Sequence, residues 1–578
     1  MFEFSNITDC LNDRVKMPIL GILMFLWMFT PVLHSQTQLA PDRYRIEFTD
    51  KNHNAYTIGF PGHFLSERAL MRRARQGIAV THADLPVSKY YTDSLIHMGF
   101  EVLNTSRWLN SATVHCMPED IDKLRTIDFI KHASITQTKD TADTIASKVV
   151  DLESIFSFFF QKKNDSDINP QYSAPSAYYG KAADQIAMMN GQVLHNRGFR
   201  GKGMLIAVID GGFYKAFDLS GFDSLHNNGR LRGVKCFSKD SDSPLGESDH
   251  GTNVLSIIAS NLPGRMIGTA PDADYILLRS EEVGKEYLVE EDNWIAAVEY
   301  ADSIGADLIT SSLGYSRFDD LSQNHHYRDL DGRTAGASRA ATMAAARGMI
   351  VCISAGNDGV TDWKYISVPA DADSVVTIGA VNRRNEYVYF SSVGYTSDGR
   401  IKPDLMAMGK ETAYQNSMGS INTGDGTSYS TPLLAGLIAC LWQAYPDKNN
   451  MEIIEMVKHS SSHFQKPDSL YGYGIPDFSK LVKPVRSNET YTLSVVQNPS
   501  GGAFFLHLSP AKHGHVRIQI KTLSGQPLFS HSAYIAGCDI FELTVNESKN
   551  YSAGMYLVEA HTEAGKITAK AVKQRSYK

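Results

Sequence analysis

Apolar and polar residues alternate in several ways along this chain, and each pattern predicts a different kind of domain. From about residue 201, continuous apolar runs of strand length recur between helical stretches. Runs of this type predict an α/β fold with a parallel sheet that helices cover on both faces. The predicted strands are MLIAVID, ADYILLRS, ADLITSSLG, MIVCISAGN and VVTIGAV, and the predicted helices include NVLSIIAS, WIAAVEYADSIG and SRAATMAAARG.

The segments that flank the predicted sheet, itself assigned to residues 176–484, follow other patterns. Residues 36–135 mix strand-like runs such as YRIEFTD with helical runs such as SERALMRRARQG, which predicts a small α+β domain of split βαβ type. Residues 136–175 are mostly polar and rich in turn formers, and we interpret them as a linker. Residues 485–578 contain strand-like runs joined by turn residues without a helical pattern, which predicts a β-sandwich.

The composition of the 578 residues is that of a globular protein, with 43% hydrophobic residues and a net charge of −7. This excludes a membrane bundle, a disordered chain and a nucleic-acid binder. One segment differs, because Arg14 and Lys16 precede an uncharged apolar run from residue 17 to about residue 32. This layout predicts a secretory signal peptide over residues 1–35, and a retained membrane anchor is the alternative.

Ser428 lies where the segment GDGTSYSTPLLAGLIACLW passes from turn-forming residues to a predicted buried helix. A serine at this place ordinarily caps the helix. It can also act as a nucleophile, because N–H groups at a helix start stabilise an oxyanion, but it then requires a base and an orienting acid. We place Pro432 in the first turn of this helix, where its missing N–H leaves no hydrogen bond unmade.

Three further polar residues follow predicted strands or precede a predicted helix, at the sheet edge where ligands bind. Asp210 ends MLIAVID, Asn357 follows MIVCISAG, and His250 comes just before a helical run. Taken singly, these are a turn or cap residue, a turn residue and a structural histidine. Together with Ser428 they supply an orienting acid, an oxyanion donor, a base and a nucleophile.

These segments resemble the motifs of the subtilisin-like serine peptidases. AVIDGGF, HGTNVLSIIA, SSLGY, SAGND and GTSYSTPLLAG follow one another in the order of that family. The resemblance implies that Ser428 attacks the scissile carbonyl, that His250 transfers its proton, and that Asp210 orients His250. It also implies that Asn357 and the backbone N–H of Ser428 bind the oxyanion. The chain departs from the family at Asn253, where a second histidine is common, and at Tyr429-Ser430-Thr431, where Met-Ala-Ser is common. Both departures bear on packing and on the shape of the cleft.

The same resemblance assigns protein or peptide substrates to a cleft that pairs with an extended peptide. Its substrate-binding residues are Ser312, Leu313, Gly314, Ser354, Ala355 and Gly356. The acidic residues Glu290, Glu291 and Asp292 fall near an outer wall of this cleft in the family. We interpret them as a solvated face, and selection of basic substrate residues is the alternative.

No cofactor is required for this chemistry, and calcium binding stays open. ASNLPGRMIG at residues 259–268 has roughly the length of a calcium-binding loop of some subtilisins but few carboxylates. DLDG at residues 329–332 is acidic but too short to be diagnostic. Six scattered cysteines without CxxC spacing predict no disulfide framework and no structural zinc.

Both flanking domains resemble companions of such peptidases. FLSERALMRRARQGI and LNTSRWLNS are similar to the propeptide of a Bacteroidetes branch, which implies an intramolecular inhibitor that is cut off within the linker. We interpret its basic helix, residues 68–75, as a solvated face, and a docking surface is the alternative. VVQNPSGGAFFLHL and SAGMYLVEAHTEAGKITAKAVK are similar to the sorting domain of the type IX secretion system, which implies outer-membrane secretion machinery as a partner. A carbohydrate-binding accessory module is the alternative.

We therefore predict a secreted or cell-surface serine endopeptidase that hydrolyses peptide bonds with a Ser-His-Asp triad through an acyl-enzyme. An inactive, secreted binding protein that retains the fold is the alternative, because fold alone does not establish chemistry. The presence of all four chemical groups in one chain favours the enzyme.

Overall fold

The computed structural model describes most of the chain from residue 42 onwards. The described ranges are 42–138, 176–238, 243–482, 492–497, 503–509, 514–535, 541–562 and 565–573. The predicted signal peptide and nearly all of the predicted linker lie outside the described residues. Within the described ranges, we find no helix with the length and apolar character that a membrane crossing requires.

The N-terminal domain is an antiparallel four-stranded sheet accompanied by helices, as the α+β prediction required. Its elements are β1 (Asp42–Phe48), α1 (Glu67–Arg75), α2 (Lys89–His97), β2 (Glu101–Ser106), β3 (Ser111–Cys116), α3 (Ile121–Arg125) and β4 (Ile130–Gln137). The strands lie in the order β2-β3-β1-β4. Alternate residues of β1, namely Tyr44, Ile46 and Phe48, enter the domain core, as the period of two in a half-buried strand dictates.

The second domain is built on a parallel seven-stranded sheet in the described part of the chain. Up to the fourth strand along the chain its elements are α4 (Ser176–Tyr179), α5 (Ala183–Ala187), α6 (Gln192–Asn196), β5 (Leu205–Asp210), α7 (Asp223–Asn227), β6 (Leu231–Cys236), α8 (His250–Ala259), β7 (Asn261–Leu262), β8 (Met266–Ile267), β9 (Asp274–Arg279), α9 (Val289–Ile304) and β10 (Leu308–Ser311). The remaining elements are α10 (Gly336–Ala346), β11 (Ile350–Ser354), β12 (Val376–Val381), β13 (Leu405–Met408), β14 (Thr412–Gln415), β15 (Ile421–Gly424), α11 (Thr427–Ala444) and α12 (Asn450–Ser460).

The strand order β13-β12-β11-β10-β5-β9-β6 positions the site. From β5 the chain passes to the edge strand β6, returns to β9 beside β5, and then crosses to β10 on the other side of β5. The strand order therefore reverses at β5, and ligands bind beyond the carboxyl ends of strands at such a point. Residues of β5 alternate between two cores: Ile206 and Val208 pack with α8 and α11, and Ala207 and Ile209 pack with α9 and α10. Helices therefore cover both faces of the sheet, and the α/β prediction is confirmed.

Two strands of this sheet are absent from the predicted set. The edge strand β6 is largely half-exposed or exposed, so its sequence LRGVKC does not form a continuous apolar run. The opposite edge strand β13 is fully buried but only four residues long. Sequence periodicity identifies strands best when they are both long and buried. The edge strand β6 is not buried, and the edge strand β13 is not long.

The C-terminal domain consists of two antiparallel sheets that share one apolar core, which confirms the β-sandwich prediction. Its strands are β16 (Thr492–Gln497), β17 (Phe504–Ser509), β18 (Gly514–Thr522), β19 (Pro527–Ile535), β20 (Phe541–Val545), β21 (Gly554–Thr562) and β22 (Gly565–Lys573). The three-stranded sheet β16-β17-β20 contributes Phe504 and Leu506 to the core. The four-stranded sheet β19-β18-β21-β22 contributes Ile518 and Val558.

The interpretation of the basic helix α1 as a solvated face is wrong. Arg72 and Arg73 are only 2% and 1% exposed, and both pair with the fully buried Asp302 of α9. Arg107, in the turn between β2 and β3, pairs with the same carboxylate. Burial of charged groups is tolerated when each is paired, and here the partner lies more than 190 residues away along the chain. These contacts dock the N-terminal domain on α9.

Removal of one of these guanidinium groups is expected to destabilise the docked domain. We expect Arg72→Met, made in a Ser428→Ala chain so that no cut can occur, to lower the free energy of unfolding by about 3 kcal/mol, because buried ion pairs lose several kcal/mol when one partner is removed. Urea unfolding measures the change. Arg125→Met is the matched control, since Arg125 pairs with Asp122 at the surface. An Arg72→Met chain as stable as this control would contradict the assigned contact.

Candidate active site

Asp210 and His250 meet at the carboxyl end of the central strand β5. The carboxylate of Asp210 is fully buried, and its Oδ1 accepts hydrogen bonds from Nδ1 of His250 at 2.7 Å and from the N–H of Gly211 at 2.8 Å. His250 is the first residue of α8, and its ring is partly exposed. One ring nitrogen is thereby fixed on a buried carboxylate while the ring reaches the surface.

Glycine at position 251 permits this close approach. A Cβ atom there would lie 2.4 Å from the carbonyl oxygen of Gly212 and 2.9 Å from Cβ of Asp210. Both distances are shorter than real Cβ contacts, so the first turn of α8 can rest on the end of β5 only with glycine at this position. In the pair His250-Gly251, packing thus requires the glycine, whereas the histidine bonds Asp210.

Ser428 is the second residue of α11, which begins at Thr427. The prediction that Pro432 lies in the first turn is therefore wrong, because Pro432 falls in the second turn and its absent N–H would have bonded the carbonyl of Ser428. Ser312 replaces that donor, and its hydroxyl bonds the Ser428 carbonyl at 2.9 Å. In return, the Ser428 hydroxyl bonds the Ser312 carbonyl at 3.4 Å.

Asn357 follows β11 and is held by its own side-chain oxygen. Oδ1 accepts the backbone N–H of Thr427 at 2.9 Å and the Thr427 hydroxyl at 3.1 Å. The preceding Gly356 has a φ of 103°, which turns the chain at the strand end, and its N–H bonds the same hydroxyl. With Oδ1 engaged on α11, the amino group of Asn357 is the end of the side chain that can donate to a ligand.

His250, Asn357 and Ser428 line one cavity of about 520 Å³. Five of the six predicted substrate-binding residues line it as well, namely Ser312, Leu313, Gly314, Ser354 and Gly356. Ala355 does not, because it is fully buried and its N–H bonds the carbonyl of Ile378. A Cβ at Gly314 would lie 2.1 Å from the hydroxyl of Ser367, another lining residue, so this glycine keeps the cavity open.

The positions that depart from the family motifs take part in packing. Tyr429 stacks on Tyr414 with ring centroids 5.1 Å apart. The hydroxyls of Ser430 and Thr431 bond the carbonyl of Thr427 at 2.9 and 2.8 Å. Asn253 is buried in α8. These contacts fix the start of α11 rather than add a reacting group.

The interpretation of residues 290–292 as a solvated face is wrong. Glu290, Glu291 and Asp292 are all buried in the first turn of α9. Asp292 pairs with Arg45 of β1 and accepts the Thr113 hydroxyl at 2.9 Å. A run of three acidic residues normally predicts exposure, and the basic partners in other parts of the chain carry no local signal.

Glu291 is paired with His325 at the far side of the same turn. Burial opposes ionisation of the carboxyl, but His325 and Arg45 outweigh it and hold the pKa of Glu291 below its usual value. Burial likewise disfavours the imidazolium, yet Glu291 raises the pKa of His325 overall. This ion pair anchors the start of α9 beside the cavity.

Sequence reasoning missed two residues that join Glu290 at the cavity, Glu281 and Glu286. Both lie in the irregular segment after β9 and carry no motif that would identify them. Burial raises the pKa of all three carboxyls, and repulsion from neighbouring carboxylates raises it further. An acidic cluster therefore faces the same space as His250 and Ser428.

The two segments compared with calcium loops are both held by hydrogen bonds within the chain. Residues 261–267 form the β7-β8 hairpin. Asp329 accepts the backbone N–H of His326, and Asp331 accepts those of Arg333 and Thr334, at 2.7 to 2.8 Å. In the described ranges, the acidic cluster of the cavity is the only group of three metal-ligating side chains with atoms close to one another.

Comparison with known proteins identifies the families that two parts of the chain match. Residues 201–474 match the Subtilase family, and residues 43–149 match the Peptidase S8 propeptide domain of Bacteroidota. Serine protease AprX of Bacillus subtilis (strain 168) is 29% identical over 317 residues, which cover 49% of this chain and 66% of AprX. Subtilisin NAT of Bacillus subtilis subsp. natto is 28% identical over 307 residues, which cover 52% of this chain and 70% of the relative.

Among solved structures, the epidermin leader peptide processing serine protease EpiP of Staphylococcus aureus has the same fold. The TM-score is 0.50 at 19% sequence identity, and the match covers 78% of this chain and 100% of EpiP. Residues 201–474 therefore belong to the subtilase family of serine endopeptidases, and the chain joins them to a propeptide domain of the Bacteroidota type.

Proposed function

We propose that this protein hydrolyses peptide bonds of proteins through an acyl-enzyme on Ser428. The observation that carries the proposal is the 2.7 Å bond between Asp210 and His250 at the rim of a cavity that Ser428 also lines. A nucleophile at a helix start, a base and an orienting acid thus lie at one edge of one sheet.

The proton path follows from the bond between the two partners. With Nδ1 of His250 donating to Asp210, Nε2 is the nitrogen that takes the proton of the Ser428 hydroxyl as its oxygen attacks the carbonyl. The buried carboxylate stays ionised and stabilises the imidazolium. His250 then gives the proton to the leaving amine, and a water molecule repeats the sequence on the acyl-enzyme.

The oxyanion of each tetrahedral intermediate receives two donors. One is the N–H of Ser428, which as the second residue of α11 has no acceptor within the helix. The other is the amino group of Asn357, whose oxygen is held by Thr427. Donors fixed in this way need no rearrangement as negative charge develops.

The contribution of Asn357 is testable by truncation. We expect Asn357→Ala to lower kcat on a protein substrate by about a hundred- to a thousandfold and to leave KM nearly unchanged, because the lost donor acts on the intermediate. Steady-state kinetics with casein peptides measure both constants. Asn382→Ala is the control, since Asn382 bonds within its own turn outside the cavity. Equal kcat values for the two variants would refute the role of Asn357.

Labelling tests the proposed function itself. A fluorophosphonate probe reacts with an activated serine, so we expect it to modify Ser428 in the matured protein, with peptide mass spectrometry locating the adduct. An inactive relative that only binds would remain unlabelled. Absence of labelling in a folded, matured sample would overturn the proposal.

The flanking domains extend the proposal. We infer that the N-terminal domain inhibits the peptidase in the same chain until a cut within residues 136–175 releases it, and the buried pairs on Asp302 support a tight docked state. We also infer secretion or display at the cell surface through a signal peptide and the type IX machinery. The signal-like pattern before residue 36 and the C-terminal sandwich support this part.

A further inference from the structure

Glu281, Glu286 and Glu290 form a group that we call the acidic pocket. Each contributes a carboxylate oxygen, and these oxygens all lie within 4.8 Å of one another. The acidic pocket lines the same cavity as His250 and Ser428. The proposed triad makes no use of these three carboxyls, so their accumulation beside it requires a separate explanation.

One carboxylate oxygen of Glu290 has no partner among the described residues. The residue is 1% exposed, and its Oε1 accepts the backbone N–H of Glu282 at 2.8 Å. Its Oε2 is buried and has no hydrogen-bond partner among the described residues. A buried acceptor left unpaired is costly, and such atoms are usually satisfied by a ligand, an ion or water.

The same face of the domain binds basic side chains at other carboxylates. Arg43 of the N-terminal domain pairs with Glu282, and Arg45 pairs with Asp292. In the described part of the chain, no lysine or arginine forms an ion pair with the acidic pocket itself. Burial and mutual repulsion raise the pKa of these carboxyls, so an incoming cation binds as they release their protons, and the bound cation then stabilises the carboxylates.

The open acceptors of the acidic pocket suit an ammonium group. One oxygen of Glu281 already accepts the Tyr315 hydroxyl at 2.6 Å and the Ser280 hydroxyl at 3.2 Å. The other Glu281 oxygen, the Glu286 carboxylate and Oε2 of Glu290 remain, which matches the three donors of a lysine. A nitrogen at the centre of three oxygens 4.8 Å apart, the limit that holds for one oxygen of each carboxylate, would lie about 2.8 Å from each, a length usual for charge-assisted bonds.

A calcium ion fits this set less well. It prefers six to eight oxygens, several of them from the backbone or water, at roughly 2.3 to 2.6 Å. In the acidic pocket, one oxygen of Glu281 and one of Glu290 are already engaged by protein donors. The acidic pocket moreover lines the cavity that contains His250 and Ser428.

We propose that the acidic pocket binds a lysine or arginine side chain of the peptide substrate, upstream of the scissile bond. The proposal rests on the proposed peptidase function. An extended peptide that pairs with Ser312–Gly314 runs towards Tyr315, whose hydroxyl bonds Glu281, so a long basic side chain of that peptide reaches the acidic pocket. The peptidase then selects substrates by charge at this position.

Matched peptides test this selection. The full chain is matured, and a separate aliquot is labelled with fluorophosphonate to show that its serine is active. The unlabelled enzyme is then given peptides that carry either lysine or norleucine at each of the four positions upstream of one scissile bond. We expect lysine to raise kcat/KM at least about tenfold at one of them. Glu286→Gln, at a partly exposed carboxyl, should reduce that advantage to less than about threefold.

Two further variants serve as a control and as a second test. Glu247→Gln removes one exposed negative charge three residues before His250, outside the cavity lining, and should keep the lysine advantage. Glu290→Gln should reduce the advantage as Glu286→Gln does, so a folding defect in either variant leaves the other to decide.

Three results would overturn the inference. The first is equal cleavage of lysine and norleucine peptides at all positions. The second is a lysine advantage that both acidic-pocket variants retain. The third is a calcium-dependent rise in Tm that the parent shows and Glu286→Gln lacks, without any lysine advantage, which would assign the pocket to a metal ion. A matured protein that no fluorophosphonate labels would instead remove the proposed function, and the inference with it.

Discussion

Replacement of Ser428 by alanine is expected to lower the turnover of casein by about a millionfold. The alanine removes the atom that attacks the carbonyl, while His250, Asp210 and the oxyanion donors stay in place. A residual rate above that of the uncatalysed reaction is expected, because donors and substrate contacts still stabilise the transition state. The full-length chain should also persist without the cut in its linker.

Ser430→Ala is the matched control for this experiment. It also removes a serine hydroxyl, but two residues further along α11, where that hydroxyl bonds the carbonyl of Thr427 inside the helix. We expect this control to label with fluorophosphonate and to retain turnover within about tenfold of the parent. Casein hydrolysis by Ser428→Ala at the parental rate would end the assignment of the nucleophile.

Asp210→Asn is expected to lower kcat about ten-thousandfold with little change in fold. The amide has the shape of the carboxylate, but its charge is lost, and its NH₂ group favours the imidazole tautomer in which Nε2 carries the hydrogen. Nε2 then cannot accept the proton of Ser428. The N–H of Gly211 bonds the same oxygen, Oδ1, as His250 does, so an amide that turns its NH₂ group towards His250 also gives up this bond, and stability must be measured beside kcat.

The measurement is kcat near neutral pH together with the urea unfolding midpoint. Asp218→Asn serves as the control, because it makes the same substitution at an exposed carboxyl on the loop after β5. We expect its kcat to match that of the parent. If Asp210→Asn lost activity and stability in parallel, its role would be structural and the proposed proton path would be unsupported.

Much of the candidate site could be predicted from the sequence, because the patterns that indicate its residues are local. A buried strand that ends in Asp210, a strand that ends before Asn357 and a glycine-rich entry to Ser428 are each visible within about ten residues. Parallel strands share their carboxyl edge, so these local signals converge in space without any knowledge of loops. The family order of the motifs completed the assignment.

Other features depend on partners that are distant along the chain, and no local pattern reveals them. The arginines of α1 pair with Asp302, so a helix that reads as solvated is a docking surface. Glu281 and Glu290 are separated by a loop and meet only after folding. Charged residues are exposed in most proteins, and local reasoning therefore misplaces the few that are buried in pairs or clusters.

The crossed bonds between Ser312 and Ser428 have a consequence for the evolution of specificity. Pro432 leaves a gap in the ladder of α11, and the residue that fills it belongs to the cleft segment that receives substrate. A change at position 312 that alters substrate choice would therefore also loosen the backbone of the attacking residue. Substitutions at the end of the cleft away from Ser428 do not touch these bonds, so substrate preference can change there without disturbing the reaction centre.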